Sequence, residues 1–445
     1  MSDTAPNHEA WAKPAPPDPP RSFSRRRLLI GTGAMGAAGV VAGAVATRPW
    51  QSLGAAAPQS AVRTGKGKLI LVTLYGGNDG LNTVVPYTDS AYHAARPTLG
   101  YQPTEVLPLG SGLGLNPKLS GMKALWDSKQ LAVVRGVGYP NPSLSHFQSM
   151  DIWQTASLEA SGSGWLGRWL DTSGSDPLRA ISVGSTLPPA LRGERSAATA
   201  ITARTITLPG GPAFLSGYAQ LAGSGPDRVG LGSLVGHTAH DLLSVKGALD
   251  HLKASPAGSG AGPQAPTGAG AAAKGETAKG AGRGGGGATF AEQLQVIGSL
   301  IKAGAPTQVY QVSLASFDTH VEEKANQERL LTELDQGITS FFTTLKGSPE
   351  ASDVVLMTYS EFGRRVAENA SGGTDHGTAS PLFIAGPSVK GGQFYGEQPS
   401  LTDLDGGDLR FNVDFRSVYA TMLARVVGVD PKAFLGANFA TLAVI

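Results

Sequence analysis

Glu361, Arg364, Arg365, Asp375 and His376 crowd together in the stretch TYSEFGRRVAENASGGTDHGTAS, Thr358 to Ser380. Only 16% of the chain is charged, so this density stands out. Carboxylates and an imidazole among glycines suit a divalent cation, because they supply oxygen and nitrogen donors. Paired arginines suit an anion, because a guanidinium forks onto two oxygens of a phosphate or sulfate. The plainer reading is a solvated surface loop whose arginines pair with Glu361 or Glu368 along a helix face.

Other chemistry-bearing residues lie far away in sequence. Asp79 sits in GGNDG, Ser143, Ser145 and His146 in NPSLSHF, and Asp318 and His320 in SFDTH. Asp79, Asp318, His320, Glu361, Asp375 and His376 form the candidate metal set. Ser145 is the candidate nucleophile and Arg364 the candidate anion clamp, with Arg365 as its alternative. A bound metal lowers the pKa of a coordinated water or hydroxyl, to about 7 in favourable zinc sites, so Ser145 would need no histidine base. Two neighbouring metals could clamp both ends of an in-line displacement. Each residue also has a structural use. Asp79 could shape a tight turn, Asp318 and His320 could hydrogen-bond at a strand end, and Ser145 could cap a helix. His146 is open between ligand, base and packed loop residue. Asp403, Asp405 and Asp408 in SLTDLDGGDLR lack the EF-hand pattern and read as a turn.

The elements that must position these groups are visible as apolar runs. KLILVTL from Lys68, QLAVVRGVG from Gln130, TQVYQVSL from Thr307 and SDVVLMTY from Ser352 are each followed by a polar loop. Such runs suit strands buried on both faces. Between Glu322 and Leu345, apolar residues Leu330, Leu331, Leu334, Ile338, Phe341, Phe342 and Leu345 recur at helical spacing. Asp414 to Val427 reads as another helix, with Asp414 as its cap. Alternating strands and helices imply an α/β fold, a mainly parallel sheet sandwiched by helices. In an open parallel sheet, ligands bind outside the carboxyl edge of the strands, where all four polar loops would meet. The GGTDHG loop carrying Asp375 and His376 could then fold back over the site.

Composition narrows the partners. The chain has 445 residues, 41% hydrophobic, and a net charge of +2, which gives no reason to expect nucleic acid. With no cysteine, a metal must use His, Asp, Glu, Asn and hydroxyls, so the expected cofactor is one or two divalent ions, Zn, Mn, Mg or Ca. Arg25, Arg26 and Arg27 precede an uncharged Gly- and Ala-rich run from Leu28 to Ala46, the pattern of a twin-arginine export signal. Residues 1–57 are therefore set aside as signal and spacer, with no stable membrane span expected after cleavage. Ala254 to Thr289 holds no bulky apolar residue and reads as a disordered Gly/Ala-rich loop interrupting a single domain, 66–445.

Several ordered motifs together resemble the twin-arginine proteins of the domain of unknown function 1501 family. They are LYGGNDGLNTVVPY, GVGYPNPSLSHFQSMDIWQTA, GWLGRWLD, SFDTH, SEFGRRVAENASGGTDHGTASPLF and DFRSVYATML. That family is grouped with the alkaline phosphatase-like superfamily of phosphatases, sulfatases and phosphodiesterases. The resemblance implies metal binding by Asp79, Asp318, His320, Glu361 and His376, with Ser145 near the nucleophile position and Ser143 as its alternative. Phe362 stands where the superfamily commonly has a metal-binding His, and phenylalanine cannot coordinate a cation. The expected function is an exported metal-dependent hydrolase of phosphate or sulfate esters, acting on a small anionic ester outside the cytoplasm. The alternative is a non-catalytic cell-envelope protein with a degenerate metal or anion site.

Overall fold

The structure is a computed structural model. It describes residues 67–203 and 288–445, except 160, 161, 175 and 185, with a few isolated positions between 217 and 250. The N-terminal segment read as an export signal, the Gly/Ala-rich stretch up to residue 287, and His237, His240 and His251 lie outside the described residues.

Among the described residues, nine strands form one sheet. They are β1 (Lys68–Leu74), β2 (Leu131–Gly138), β3 (Ala180–Val183), β4 (Thr199–Ile201), β5 (Val309–Leu314), β6 (Val354–Tyr359), β7 (Ser380–Ala385), β8 (Phe394–Tyr395) and β9 (Val413–Asp414). Their order is β8-β2-β7-β6-β1-β5-β3-β4, with β9 also pairing with β2. The four apolar runs legible in the sequence are β1, β2, β5 and β6. Along β1, Ile70, Val72 and Leu74 join one core cluster while Leu69 and Leu71 join the other. Side chains alternate across a strand, so a continuous apolar run satisfies both faces at once. Burying each such side chain contributes about 1.5–3 kcal/mol.

Helices cover both faces. Phe290–Lys302 and Glu323–Leu345 pack with one cluster, and His146–Thr155, Trp165–Thr172 and Phe415–Met422 with the other. The stripe of the long helix is buried at Leu330, Leu331, Leu334, Ile338, Phe341 and Leu345, with Phe342 at its margin. Asp414 caps its helix by accepting from the Arg416 N–H at 2.9 Å. Thr289, the last residue of the Gly/Ala-rich stretch, instead opens a capping box with Glu292. Among the described residues, no helix is long and apolar enough to cross a membrane.

One strand decides how the site assembles. β1, β5 and β6 run parallel, while β7 is antiparallel to β6 and to β2. The carboxyl ends of β1, β2, β5 and β6 therefore share an edge with the amino end of β7. The loops leaving those four strands and the loop entering β7 meet there.

Candidate metal centre

The loop after β2 ends in the helix that begins at His146, and the loop after β5 carries Asp318 and His320. The segment entering β7 carries Asp375 and His376. It is held against residues 363–365 by Gly363 N–H to the Thr378 carbonyl at 2.8 Å and Arg365 N–H to the Asp375 carbonyl at 3.0 Å. Three imidazoles converge as a result. Asp318 Oδ1 lies 3.0 Å from His320 Nε2, 3.2 Å from His376 Nε2 and 3.4 Å from His146 Nε2. The Nε2 atoms of His320 and His376 are 3.0 Å apart.

Each ring is anchored through its other nitrogen. His146 Nδ1 lies 2.8 Å from Glu361 Oε1, His320 Nδ1 lies 3.3 Å from Asp375 Oδ1, and His376 Nδ1 lies 2.8 Å from the Leu144 carbonyl. An imidazole facing an acceptor at Nδ1 carries its proton there and presents the Nε2 lone pair. Metal-ligating histidines use this arrangement. Donor nitrogens about 2.0–2.1 Å from a tetrahedral zinc stand roughly 3.4 Å apart; His146, Asp318 and His376 offer ligand atoms that all lie within 4.8 Å of one another, and His320 reaches this group through His376 and Asp318. His146 Nε2 is buried without a hydrogen-bond partner, as a ligand atom would be.

Electrostatics acts in opposite directions on two of the rings, holding His376 neutral and favouring the protonated form of His146. Burial lowers the pKa of His376, with the Arg364 and His146 charges adding to it, which keeps the ring neutral. The Glu361 hydrogen bond raises His146 against the opposing effect of burial. Burial also opposes ionisation of Asp318, but Arg364 and the neighbouring imidazoles prevail and its pKa falls to about 2.

The sequence-predicted residues thus divide. Asp318, His320 and His376 come together, joined by His146. Glu361 and Asp375 stand behind the rings as anchors. Glu361 is buried and also accepts from the Gly76 N–H at 2.9 Å. Asp79 does not present an oxygen to this cluster. It is buried, caps the short helix Gly80–Thr83 and forms a two-pronged ion pair with Arg96. The turn-forming use of Asp79 is the one observed.

Arg364 is not free to clamp an anion. It is 1% exposed, and its nitrogens donate to the carbonyls of Gly76, Gly77, Phe317 and Thr374 and, at 2.7 Å, to Asp318 Oδ1. It ties the β1 loop to the β5 loop and positions Asp318. Gly76 makes that close approach feasible, since its φ of +116° and its contact with the Asp318 backbone leave no room for a Cβ. Arg365 braces a hairpin by donating to the Gly406 carbonyl at 2.9 Å, with Asp408 at 3.5 Å. Ser145 is exposed at the N-cap position next to His146 and makes no capping hydrogen bond. Phe362 packs on His146 and His376 with ring centroids at 4.9 and 4.8 Å, forming an apolar wall behind the two imidazoles.

The family model described as a protein of unknown function (DUF1501) matches residues 128–441. The chain belongs to this family. The matched DUF1501 span contains all four converging donors and leaves out β1 and Asp79. No curated protein matches the chain. Among solved structures, one similar fold is a protein in the alkaline phosphatase superfamily from Vibrio parahaemolyticus, at 10% identity and TM-score 0.39, covering 88% of this chain and 78% of that one. Another is a phosphonate monoester hydrolase of Agrobacterium radiobacter, at 10% identity and TM-score 0.35, covering 84% and 78%. A third is the PsFucS1 sulfatase from Pseudoalteromonas sp., at 11% identity and TM-score 0.35, covering 89% and 73%.

Two expected outcomes arise from these contacts. Glu361→Gln and Asp375→Asn each remove the anionic partner of a ring while leaving its Nε2 in place. Each variant should bind zinc about 10–100-fold more weakly than wild type by competitive chelator titration. The second concerns Glu323, fully buried beside Asp79. Burial and the Asp79 charge push its pKa up to about 9, so it holds a proton at neutral pH. A raised folded pKa contributes stability that is full below the unfolded value, about 4.5, and is lost as pH climbs through about 9. Wild-type melting temperature should therefore carry a downward contribution between pH 5 and pH 9. Glu323→Gln, which cannot ionise, should flatten that slope; parallel curves for the two proteins would rule the account out.

Proposed function

We propose that the protein is an exported, metal-dependent hydrolase of phosphate or sulfate esters, with one divalent cation held by His146, His320, His376 and Asp318. The observation that carries this reading is the convergence of three Nε2 atoms on one carboxylate oxygen, each ring anchored through Nδ1. Three imidazoles and one carboxylate favour zinc or manganese over magnesium or calcium, which prefer oxygen ligands. When bound, such a cation supplies Lewis acidity toward a phosphoryl or sulfuryl oxygen.

The chain supplies the remaining parts. Glu361 and Asp375 hold the protons of His146 and His320 at Nδ1. Arg364 positions Asp318 from the buried side and does not touch substrate. Phe362 keeps water from the inner faces of two rings. The exposed Ser145 hydroxyl, one residue before His146, is the nucleophile in this reading. Export rests on the arginines and the Gly/Ala-rich run of the N-terminal segment, and places the substrate, a small anionic ester or an envelope component, outside the cytoplasm.

A second reading, a non-catalytic envelope protein that keeps one metal, draws on Phe362, which brings a ring rather than a donor to the centre. Elemental analysis followed by a phosphate- and sulfate-ester panel with added zinc, manganese, magnesium or calcium separates the two. Turnover abolished by His376→Ala supports the hydrolase. Stoichiometric metal without turnover supports the binding protein. Folded protein with neither metal nor turnover contradicts both.

A further inference from the structure

A cavity of about 440 Å³ opens beside the metal centre. Small-molecule sites are of this size, roughly 300–1,000 Å³, and are lined mainly by apolar and aromatic side chains. Leu144, Glu361 and Phe362 belong to both places, so the cavity adjoins the imidazoles. Its far wall is the hairpin that pairs Leu404–Asp405 with Asp408–Leu409, followed by Arg410 and Phe411.

Most polar side chains of the wall are already engaged within the protein. The Tyr139 hydroxyl donates to Ser149 Oγ at 2.7 Å and accepts from the Ser143 N–H at 3.0 Å. Glu361 meets His146 and the Gly76 N–H. The Thr378 hydroxyl donates to the Leu409 carbonyl, Arg410 pairs with Asp403 at 3.2 Å, and Asp408 pairs with Arg365 at 3.5 Å. A ligand's hydroxyls would lose water here with few groups to replace it, which costs free energy. Charge does not invite a second anion either, since Glu361, Asp405 and Asp408 stand against Arg410 alone.

The wall does offer apolar area. Leu144 and Phe411 line the cavity and are 40% and 37% exposed. Among the described residues five large apolar side chains are exposed, and four of them gather at this centre. Besides Leu144 and Phe411 they are Phe147, next in the chain to His146, and Val321, next to His320. Single exposed apolar residues are ordinary, whereas a group of them marks a binding surface. A cation centre beside apolar surface complements a molecule with an anionic head and an apolar body.

We infer that the cavity holds the alcohol part of the ester, an uncharged alkyl or aryl group packed on Leu144 and Phe411, so that the substrate is an amphiphile with its phosphate or sulfate head at the metal centre. The inference rests on the hydrolase reading for the identity of the ligand as an ester, while the apolar binding itself is testable without turnover.

Saturation-transfer NMR on the full-length, metal-loaded protein tests it, with 1-octanol and 2-naphthol as probes and methyl glucoside as the polar control. Transfer to an apolar alcohol is expected with wild type, falling several-fold in Leu144→Ser and in Phe411→Ser, with none to the glucoside. Either alcohol supports the inference, and the stronger signal tells alkyl from aryl. Leu144→Ser keeps the backbone carbonyl that His376 uses, and circular dichroism and metal content verify that both variants are folded. Both side chains are partly exposed, so a folding defect in one variant leaves the other informative. No transfer to either alcohol, equal transfer in wild type and both variants, or transfer to the glucoside as strong as to the alcohols would overturn the inference. So would a signal lost in Phe147→Ser and kept in Leu144→Ser and Phe411→Ser, which would put the contact outside the cavity. Alcohol binding without ester turnover would count against the hydrolase alone, and turnover without alcohol binding against this inference alone.

Discussion

Asp318→Ala is expected to abolish stoichiometric metal binding, with affinity for zinc falling by more than about a hundredfold. The floor comes from outer partners, whose loss already costs about 10–100-fold. Asp318 contributes the oxygen around which three Nε2 atoms gather, so its removal takes away a direct donor and the only anionic one. The fold should survive, because Arg364 keeps four backbone carbonyl acceptors after losing its carboxylate. Metal content and a circular dichroism spectrum on the same sample separate loss of binding from loss of folding. Under the hydrolase reading, turnover disappears with the metal.

Asp79→Ala should behave in the opposite way. The Asp79–Arg96 pair is inaccessible to solvent on both sides. Removing one partner strands a buried guanidinium, and breaking such a pair costs about 3–5 kcal/mol. Arg96 keeps only its bonds to the Val366 and Arg365 carbonyls, at 2.9 and 2.8 Å. Urea unfolding should therefore show a large loss of stability, while folded variant protein retains its metal. The double change Asp79→Leu with Arg96→Met should recover much of the loss, since apolar replacement of a buried ion pair is often neutral or better. Metal lost at unchanged stability would return Asp79 to the ligand set.

These opposite expectations mark how far sequence reasoning reaches. β1, β2, β5 and β6 were legible because a strand buried on both faces needs an unbroken apolar run. Parallel topology then implied that their loops meet. Asp79 follows one of those strands as Asp318 follows another, and nothing local separates a ligand from a helix cap. The difference is Arg96, seventeen residues further on, and no periodicity links the two. Arg364 poses the same difficulty, since a guanidinium can face substrate or fill its forks with backbone carbonyls from two distant loops. His146 stayed open because its role depends on Glu361, 215 residues away. Its place shortly after β2 was the available signal. The antiparallel course of β7, which brings His376 to the shared edge, has no counterpart in the four runs that were recognised.

X-ray absorption at the metal edge of zinc-loaded protein tests the central claim most directly. The account predicts four-coordinate zinc with three imidazole nitrogens and one carboxylate oxygen at about 2.0–2.2 Å. It also predicts one imidazole fewer in each of His146→Ala, His320→Ala and His376→Ala. A shell of oxygen alone, or one unchanged by all three substitutions, would contradict it.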